Sequence, residues 1–258
     1  MASADPPPFV LLHGGRHGGW CWSRVSRRLR ARGHEVFAPS FTGLGDRAHL
    51  LAPGIGLDTH IDDVVGLFES HDIRDAVLVA HSYAGAVACR AMTRIHARVR
   101  SFVLLDAHMP QGEQSVFDLV GPERAAITRA RVAEAGEGWF VPVSDASAWG
   151  LSRTEDIAWV NDHVTPQPVK SYEDRLGSTE YAQEHPYTFI ECSRSGLPPG
   201  ELEWQRTRCA GHAERRHRIL DASHDAMVSD PDALVGLLIE AVDPPGSMVG
   251  PRSEAVTA

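Results

Sequence analysis

The sequence predicts an α/β fold: a mostly parallel sheet with helices on both faces, and a helical lid inserted after the strand that ends near Asp106. Two observations predict it. Short, continuously apolar strands alternate with amphipathic helices over most of the chain, as in parallel sheets that are covered on both faces. One of these strands runs into a small-x-Ser-x-small turn centred on Ser82 and then into a helix, a pattern typical of a serine presented above a sheet.

Strands and helices can be assigned in order along the chain. Apolar runs predict strands at residues 9–12, 34–38, 77–80, 102–106, 187–192 and 218–220. Helical spacing predicts helices at residues 20–31, 58–68, 87–95, 123–135, 154–162 and 231–242. Asp58 or Thr59 is expected to cap the second of these helices, and Asp230 is expected to cap the last one, ahead of Pro231.

The domain organisation follows from length and from where the alternation stops. A chain of 258 residues can form one sizeable core, because single domains split only beyond roughly 250–300 residues. We expect one domain over residues 9–242, with a charged, tryptophan-containing lid at about residues 110–186. We expect residues 1–8 to form a flexible leader and residues 243–258 to form a disordered tail.

Charge and composition exclude several classes of partner. The chain has 25 Lys and Arg against 34 Asp and Glu, a net charge of −9, and no basic run that would follow phosphates, so nucleic acid and anionic membranes are not expected partners. Its four cysteines lack the paired spacing of a zinc site and the density of a disulfide framework. Residues 1–8 do not resemble a secretory signal, and no apolar stretch approaches the ~18–20 residues of a membrane span. We therefore expect a soluble, cytoplasmic protein without a bound metal.

The turn around Ser82 explains the residue types that surround it. A serine between a strand and a helix adopts a strained conformation, and the residues two before and two after it must be small so that both elements can approach. Ala80 and Ala84 meet this requirement, although glycine is the usual residue at both positions. The alternative interpretation is a buried serine in an ordinary strand-to-helix connection.

A serine hydroxyl needs a base within hydrogen-bond reach, and His224 is the candidate. It lies in a polar loop after the last predicted strand and before the last helix, which puts it at the same edge of the sheet as Ser82. Because the chain has 14 histidines, the residue type alone carries little information. His224 is therefore the candidate base because of its position in the predicted fold.

The acid that would orient the base has two candidates. Asp106 ends the strand that follows the Ser82 helix, and from there a carboxylate can reach the histidine. The turn after the later strand, at residues 192–196, contains no carboxylate. Asp106 is the first choice and Glu113 the second. The alternative role of Asp106 is to cap the turn that follows it.

Acyl transfer also requires donors for the developing oxyanion. The backbone N–H of Tyr83 lies at the start of a helix, and the N–H of Gly15 lies in the glycine-containing loop after the first strand. The alternative interpretation of that loop is a plain tight turn. Gly14, His17 and Trp20 lie beside these loops and are candidates for binding substrate, whereas aromatic residues at helix starts also commonly pack in the core.

Four segments together resemble the α/β-hydrolase superfamily: residues 13–22, 42–50, 80–85 and 223–227. More narrowly, they resemble small plant esterases of the methyl-salicylate esterase and hydroxynitrile lyase kind and bacterial relatives that include the carbendazim-hydrolysing esterase. The resemblance implies an α/β-hydrolase fold, Ser82 as nucleophile, His224 as base, and the amides of Gly15 and Tyr83 as the oxyanion hole. The plant enzymes keep their acid after the later strand. Haloalkane dehalogenases can place it after the earlier strand, which favours Asp106, but their nucleophile is an aspartate, so dehalogenation is not implied.

The sequence is compatible with three kinds of function. The main hypothesis is a cofactor-independent serine hydrolase acting on an ester, carbamate or lactone of a small, fairly apolar molecule. The alternative is lyase, cyclase or decarboxylase chemistry on the same Ser-His-Asp site; the only lysine, Lys170, lies in the lid, which counts against cyanohydrin cleavage. A non-catalytic binding protein is the third, and the presence of both Ser82 and His224 argues against it.

Overall fold

The computed structural model describes residues 6–246. Within this range eight strands form: β1 (Phe9–Leu12), β2 (Val36–Phe37), β3 (Ala76–His81), β4 (Val99–Leu105), β5 (Phe140–Val141), β6 (Gln167–Pro168), β7 (Tyr187–Arg194) and β8 (Arg215–Ser223). Six of them form one sheet in the order β2-β1-β3-β4-β7-β8, and all neighbours in it are parallel. β5 and β6 form a separate antiparallel pair.

The same range contains helices on both faces of the sheet. They are α1 (Ser23–Arg30), α2 (Leu57–Ser70), α3 (Ala84–Ile95), α4 (Val116–Val120), α5 (Pro122–Ala135), α6 (Thr154–Asn161), α7 (Lys170–Glu173), α8 (Glu180–Glu184), α9 (Pro199–Cys209), α10 (Ala226–Ser229) and α11 (Pro231–Glu240). Short 3-10 turns occur at Gly19–Trp22, Gly45–Leu50, His96–Arg98 and Ala146–Trp149.

The side chains of β1 alternate between two apolar clusters, one on each face of the sheet. Val10 and Leu12 pack in the cluster that contains α2 and α3, and Phe9 and Leu11 pack in the cluster that contains α1 and α11. All four side chains are fully buried. A strand covered on both faces has no polar side, and this is why the predicted strands are continuously apolar. The predicted fold class is confirmed.

Outside the inserted segment, strand β2 and helix α9 differ from the prediction. The second strand extends over two residues rather than 34–38, because it lies at the edge of the sheet and pairs only with β1. Helix α9 was not predicted at all. Its buried residues are Gln205 and Cys209, so its sequence shows no apolar stripe.

Between β4 and β7 the alternation stops, and helices α4–α8 occupy this inserted segment. The helices predicted at 123–135 and 154–162 correspond to α5 and α6. The short β5–β6 pair was not predicted, since each strand has only two residues. The segment covers the edge of the sheet at which the strands end.

The predicted helix caps are wrong in one case and incomplete in the other. Helix α2 begins at Leu57, with no side-chain cap from the residue before it. Its first amide instead donates to Asp174 of the inserted segment, at 3.0 Å from N to Oδ2, so neither Asp58 nor Thr59 is the cap. Helix α11 begins at Pro231 as predicted, but Asp230 makes no capping hydrogen bond.

Three further predictions concern the ends of the chain, its cysteines and membranes. The predicted leader and tail fall mostly on residues 1–5 and 247–258, which lie outside the described residues. All four cysteines are buried and free of disulfides. In the described part of the chain, no helix combines the length and apolarity that crossing a membrane requires. The cytoplasmic location stays a prediction.

Candidate active site

Ser82 follows β3 directly and lies two residues before α3. Its φ of 53° is in the left-handed region, which residues other than glycine rarely adopt and which marks strain at functional turns. Hydrogen bonds hold the turn in this conformation: the Ser82 carbonyl accepts from the N–H of Gly85 at 3.0 Å and from that of His108 at 3.1 Å. The strand-turn-helix geometry predicted from the motif is therefore present.

The tightest approach behind this turn involves Gly85. A Cβ atom there would lie 2.1 Å from the carbonyl oxygen of His108, so no side chain fits. Ala80 and Ala84, the positions that the motif points to, are both fully buried. The turn thus requires a small residue at Gly85 as well as at Ala80 and Ala84.

Ser82, His224 and Asp106 form a continuous hydrogen-bonded chain. The Oγ of Ser82 lies 2.9 Å from Nε2 of His224, and Nδ1 of His224 lies 2.5 Å from Oδ2 of Asp106. An ionised carboxylate can only accept, so Nδ1 carries the proton and donates to Asp106. In the neutral ring Nε2 then accepts from the Ser82 hydroxyl, which is the arrangement a general base requires.

The turn after β7 supports Asp106 rather than supplying a carboxylate of its own. The Ser195 hydroxyl donates to Oδ1 of Asp106 at 2.7 Å, the Gly196 N–H donates to Oδ2 at 3.0 Å, and the Cys192 N–H donates to Oδ1 at 3.3 Å. Burial favours the neutral carboxyl, but the hydrogen bonds from His224, Ser195 and Gly196 outweigh burial and hold the pKa of Asp106 below its usual value. Asp106 is therefore ionised at neutral pH.

Glu113, the second candidate for the acid, is exposed in the inserted segment, and the structure does not bring it to His224. Two other carboxylates that follow Asp106 in sequence bind different side chains: Glu191 accepts from an arginine, and Glu201 accepts from a histidine. Among the residues that the structure describes, Asp106 is the carboxylate hydrogen-bonded to His224.

His81, immediately before Ser82, is a second imidazole beside His224, with 4.6 Å between the two ring centroids. Burial lowers the pKa of His81 to about 3, so this ring is neutral near pH 7 and does not compete for the proton. Its Nε2–H donates to the His224 carbonyl at 3.0 Å. His81 thus holds the backbone of His224 in place, a contact that was not predicted from the sequence.

Asp225 is a fully buried carboxylate behind the same histidines. Its Oδ2 lies 3.2 Å from Nε2 of His17. Burial opposes ionisation of Asp225, but the charge and the hydrogen bond of His17 outweigh it and lower the pKa of Asp225 to about 2. The carboxylate is therefore an anchor for the loop that carries His224. Because Asp225 directly follows His224 in sequence, its place beside this site could have been predicted.

The two amides predicted for the oxyanion hole, those of Gly15 and Tyr83, both lie at the wall of one cavity. Neither N–H makes a hydrogen bond to any other described residue, so both can donate to a substrate. A side chain at Gly15 would force Tyr172 to shift, since a Cβ atom there would lie 2.4 Å from its hydroxyl oxygen.

The cavity has a volume of about 450 Å³ and lies between the sheet edge and the inserted segment. Of the residues predicted for the site, its wall contains Gly14, Gly15, His17, Ser82, Tyr83 and His224. Trp20, predicted to bind substrate, is not part of this wall. Its ring stacks on His17 at 5.4 Å and packs edge-on against Trp159 at 5.1 Å, so it supports His17 from behind.

Known proteins are similar to this chain in sequence and in fold. A sequence model described as "Alpha/beta hydrolase family" matches residues 9–237. The carbendazim hydrolyzing esterase of Nocardioides sp. (strain SG-4G) is 32% identical over 237 residues, covering 88% of this chain and 96% of that protein. Methylesterase 10 of Arabidopsis thaliana is 27% identical over 253 residues, covering 90% of each chain.

Among solved structures, an extracellular alpha/beta-hydrolase from a Paenibacillus species matches with a TM-score of 0.79 at 19% identity, over 92% of this chain and 99% of that one. This similarity supports the fold. The family match extends over the sheet, the inserted segment and the loops that carry Ser82, Asp106 and His224. The chain therefore belongs to the alpha/beta hydrolase family and is an enzyme with named esterases among its relatives.

Proposed function

We propose that the protein is a cofactor-independent serine hydrolase that cleaves an ester, or a related carbamate or lactone, of a small molecule. The observation that carries the proposal is the hydrogen-bonded chain from Ser82 through His224 to Asp106 at the wall of the cavity. The curated relatives that are named esterases support ester hydrolysis as the reaction.

In the first half of the reaction, Oγ of Ser82 attacks the ester carbonyl while Nε2 of His224 takes its proton. The imidazolium that forms is stabilised by the Asp106 carboxylate, which accepts from Nδ1. His224 then gives the proton to the departing alkoxide, so that the alcohol leaves and an acyl-enzyme on Ser82 remains. In the second half, water loses a proton to His224 and attacks the acyl carbon. The bond to Oγ of Ser82 then breaks, His224 returns the proton to Oγ, and the acid is released.

The amides of Gly15 and Tyr83 donate to the oxygen that becomes negatively charged in each tetrahedral intermediate. Donors that are already oriented stabilise this charge without reorganising, and each is typically worth on the order of a hundredfold or more in rate. The positive φ of Ser82 is the conformation expected of a turn that presents a serine hydroxyl above a sheet, with the N–H of the next residue available to the oxyanion.

The cavity favours a small substrate with an apolar body. Its volume of about 450 Å³ is within the usual range for small-molecule sites. The inserted segment contributes Val116, Phe117 and Trp149 to the wall, and these side chains would contact the acyl or alcohol group. We expect chains of a few carbon atoms to fit.

The test is turnover of a panel of p-nitrophenyl and methyl esters, together with labelling by a fluorophosphonate probe, in the wild type and in Ser82→Ala. We expect turnover and labelling in the wild type, and loss of both in the variant. Circular dichroism of both proteins checks that the fold is retained.

Each other outcome argues against a part of the proposal. Labelling without turnover of any ester or carbamate would indicate an activated serine with other chemistry, such as lyase or decarboxylase activity. Folded wild-type protein with neither turnover nor labelling would show that Ser82 is not an activated nucleophile.

A further inference from the structure

Three arginines, Arg16, Arg124 and Arg131, lie at the wall of the cavity that contains Ser82. No aspartate or glutamate is among its described lining residues. The chain as a whole has a net charge of −9, so a wall with three cations and no carboxylate has the opposite charge to the rest of the protein.

These arginines have neutral partners. Nη1 of Arg16 and Nη1 of Arg131 each donate to the same hydroxyl oxygen, Oγ of Ser144, at 2.8 Å. Nη1 of Arg124 donates to the carbonyl of Gly196 at 2.7 Å. Within the described chain, none of the three forms an ion pair. Most of the other described arginines pair with a carboxylate and a minority do not. These three are distinguished by lying together at the wall of one cavity.

The geometry leaves hydrogen-bond donors unused. Nε of Arg16 is buried and has no partner, and its guanidinium is held over the ring of Trp149, 5.0 Å from the centroid. The Ser144 oxygen accepts twice, and its own O–H has no acceptor among the described residues. Two guanidinium groups that share one neutral hydroxyl repel each other, and an anion placed between them would relieve this repulsion.

We propose that Arg16, Arg131 and Ser144 bind a carboxylate group of the substrate. This rests on the proposed function and narrows it: the substrates are esters that carry a second, free carboxylate, such as monoesters of dicarboxylic acids. Arginine suits this role because its planar donors match both oxygens of a carboxylate. The apolar wall formed by Phe117 and Ile127 accommodates the carbon chain between the two groups.

The test compares monomethyl with dimethyl esters of glutarate, adipate and suberate. We expect kcat/KM to be about tenfold or more higher for the monoester of the best-fitting length, a difference that corresponds to ~1.4 kcal/mol. Raising the ionic strength from about 0.01 M to about 1 M should reduce this preference, because salt screens the attraction. The neutral diester should show no such decrease.

Arg131→Gln should lower the monoester-to-diester ratio of kcat/KM about tenfold, and Arg16→Gln should act in the same direction. Arg27→Gln is the matched control, because Arg27 is exposed on α1 and is not part of the cavity wall. It should leave the ratio unchanged. A wild-type protein that prefers the diester at every length, or a preference that survives both cavity substitutions, would overturn the proposal.

A binding measurement separates this proposal from the proposed function. Calorimetry of monomethyl adipate with Ser82→Ala reports anion binding without turnover, and Ser82→Ala/Arg131→Gln should bind at least about tenfold more weakly. If the wild type turns over no ester but calorimetry shows arginine-dependent binding, the proposed hydrolase function is wrong and the proposed anion site is supported. If neutral esters are turned over but binding does not depend on the arginines, the hydrolase function is supported and the anion site is wrong.

Discussion

The Ser195 hydroxyl donates a hydrogen bond of 2.7 Å to Asp106 across 89 residues of sequence. It joins the turn after β7 to the end of β4, two neighbouring strands of the sheet. Because parallel strands end at the same edge, a carboxylate can reach His224 from either strand. In this chain one strand supplies the carboxylate and its neighbour supplies the donors that stabilise it.

Asp106→Asn should lower kcat about a thousandfold or more, because an amide no longer selects the tautomer in which Nδ1 of His224 carries the proton. The measurement is kcat on a p-nitrophenyl ester, with thermal unfolding as a control for folding. Glu113→Gln should leave kcat unchanged, since Glu113 is exposed and does not contact the histidine. The reverse ranking would show that Asp106 is not the acid.

Gly15→Ala should lower kcat/KM, because its new Cβ would lie 2.4 Å from the hydroxyl oxygen of Tyr172 and would displace the amide that we propose as a donor to the oxyanion. We expect a loss on the order of a hundredfold. Gly15→Ala/Tyr172→Phe removes the atom in conflict, and should recover part of the loss. The two single variants and the double variant are compared in kcat/KM, and an equal loss with and without the hydroxyl would contradict this account.

Gly85→Ala should destabilise the fold by a few kcal/mol, because its Cβ would lie 2.1 Å from the His108 carbonyl oxygen and overpacking has costs of this order. Gly66→Ala is the matched control in α2, where nothing lies within 4 Å of an added Cβ. That variant should gain ~0.5–1 kcal/mol through helix propensity. Urea unfolding measures both, and similar effects at both sites would refute the steric argument.

Asp225→Asn should lower the free energy of unfolding at pH 7. The native pKa of about 2 is below the ordinary 3.8, so ionised Asp225 contributes about 2 kcal/mol. This contribution is fully present above about pH 4 and is lost as the pH falls to about 2. Denaturant unfolding at several pH values should therefore show a difference from the wild type that shrinks over that interval.

Asp221→Asn is the control for that series. Asp221 has 91% of its side chain exposed and pairs with Arg194 at the surface, and exposed pairs contribute only about 0–1 kcal/mol. Its substitution should change stability little at any of these pH values. A pH-independent loss in Asp225→Asn would mean that shape, and not charge, accounts for the effect.

The sheet and the positions of Ser82 and His224 could be predicted from the sequence because both depend on local patterns. A strand buried on both faces is continuously apolar, and the loops after successive parallel strands meet at one edge. Asp106 could be predicted for the same reason, since it directly follows β4. The hydrogen bonds from Ser195 and Gly196 to Asp106 could not be predicted, because they are contacts between strands that no local pattern records.

The inserted segment was the least predictable part, and so was the charge of the cavity. Helices α5 and α6 have helical patterns, but Arg131 meets Arg16 only after α5 folds over the loop that follows β1. Arg131 is separated from Arg16 by more than a hundred residues. In sequence it is one more arginine on a charged helix, and only the three-dimensional arrangement shows that no carboxylate among residues 6–246 pairs with it.

Ser82, Asp106 and His224 all precede or follow the inserted segment, whereas Arg124 and Arg131 belong to it. The parts that would carry out the reaction and most of those that would select the substrate are thus encoded in separate stretches of the chain. A chimera that receives another family member's segment between β4 and β7 could keep its turnover chemistry and change its preferred ester. Exchange of this segment alone is therefore a route by which one hydrolytic apparatus can serve many substrates.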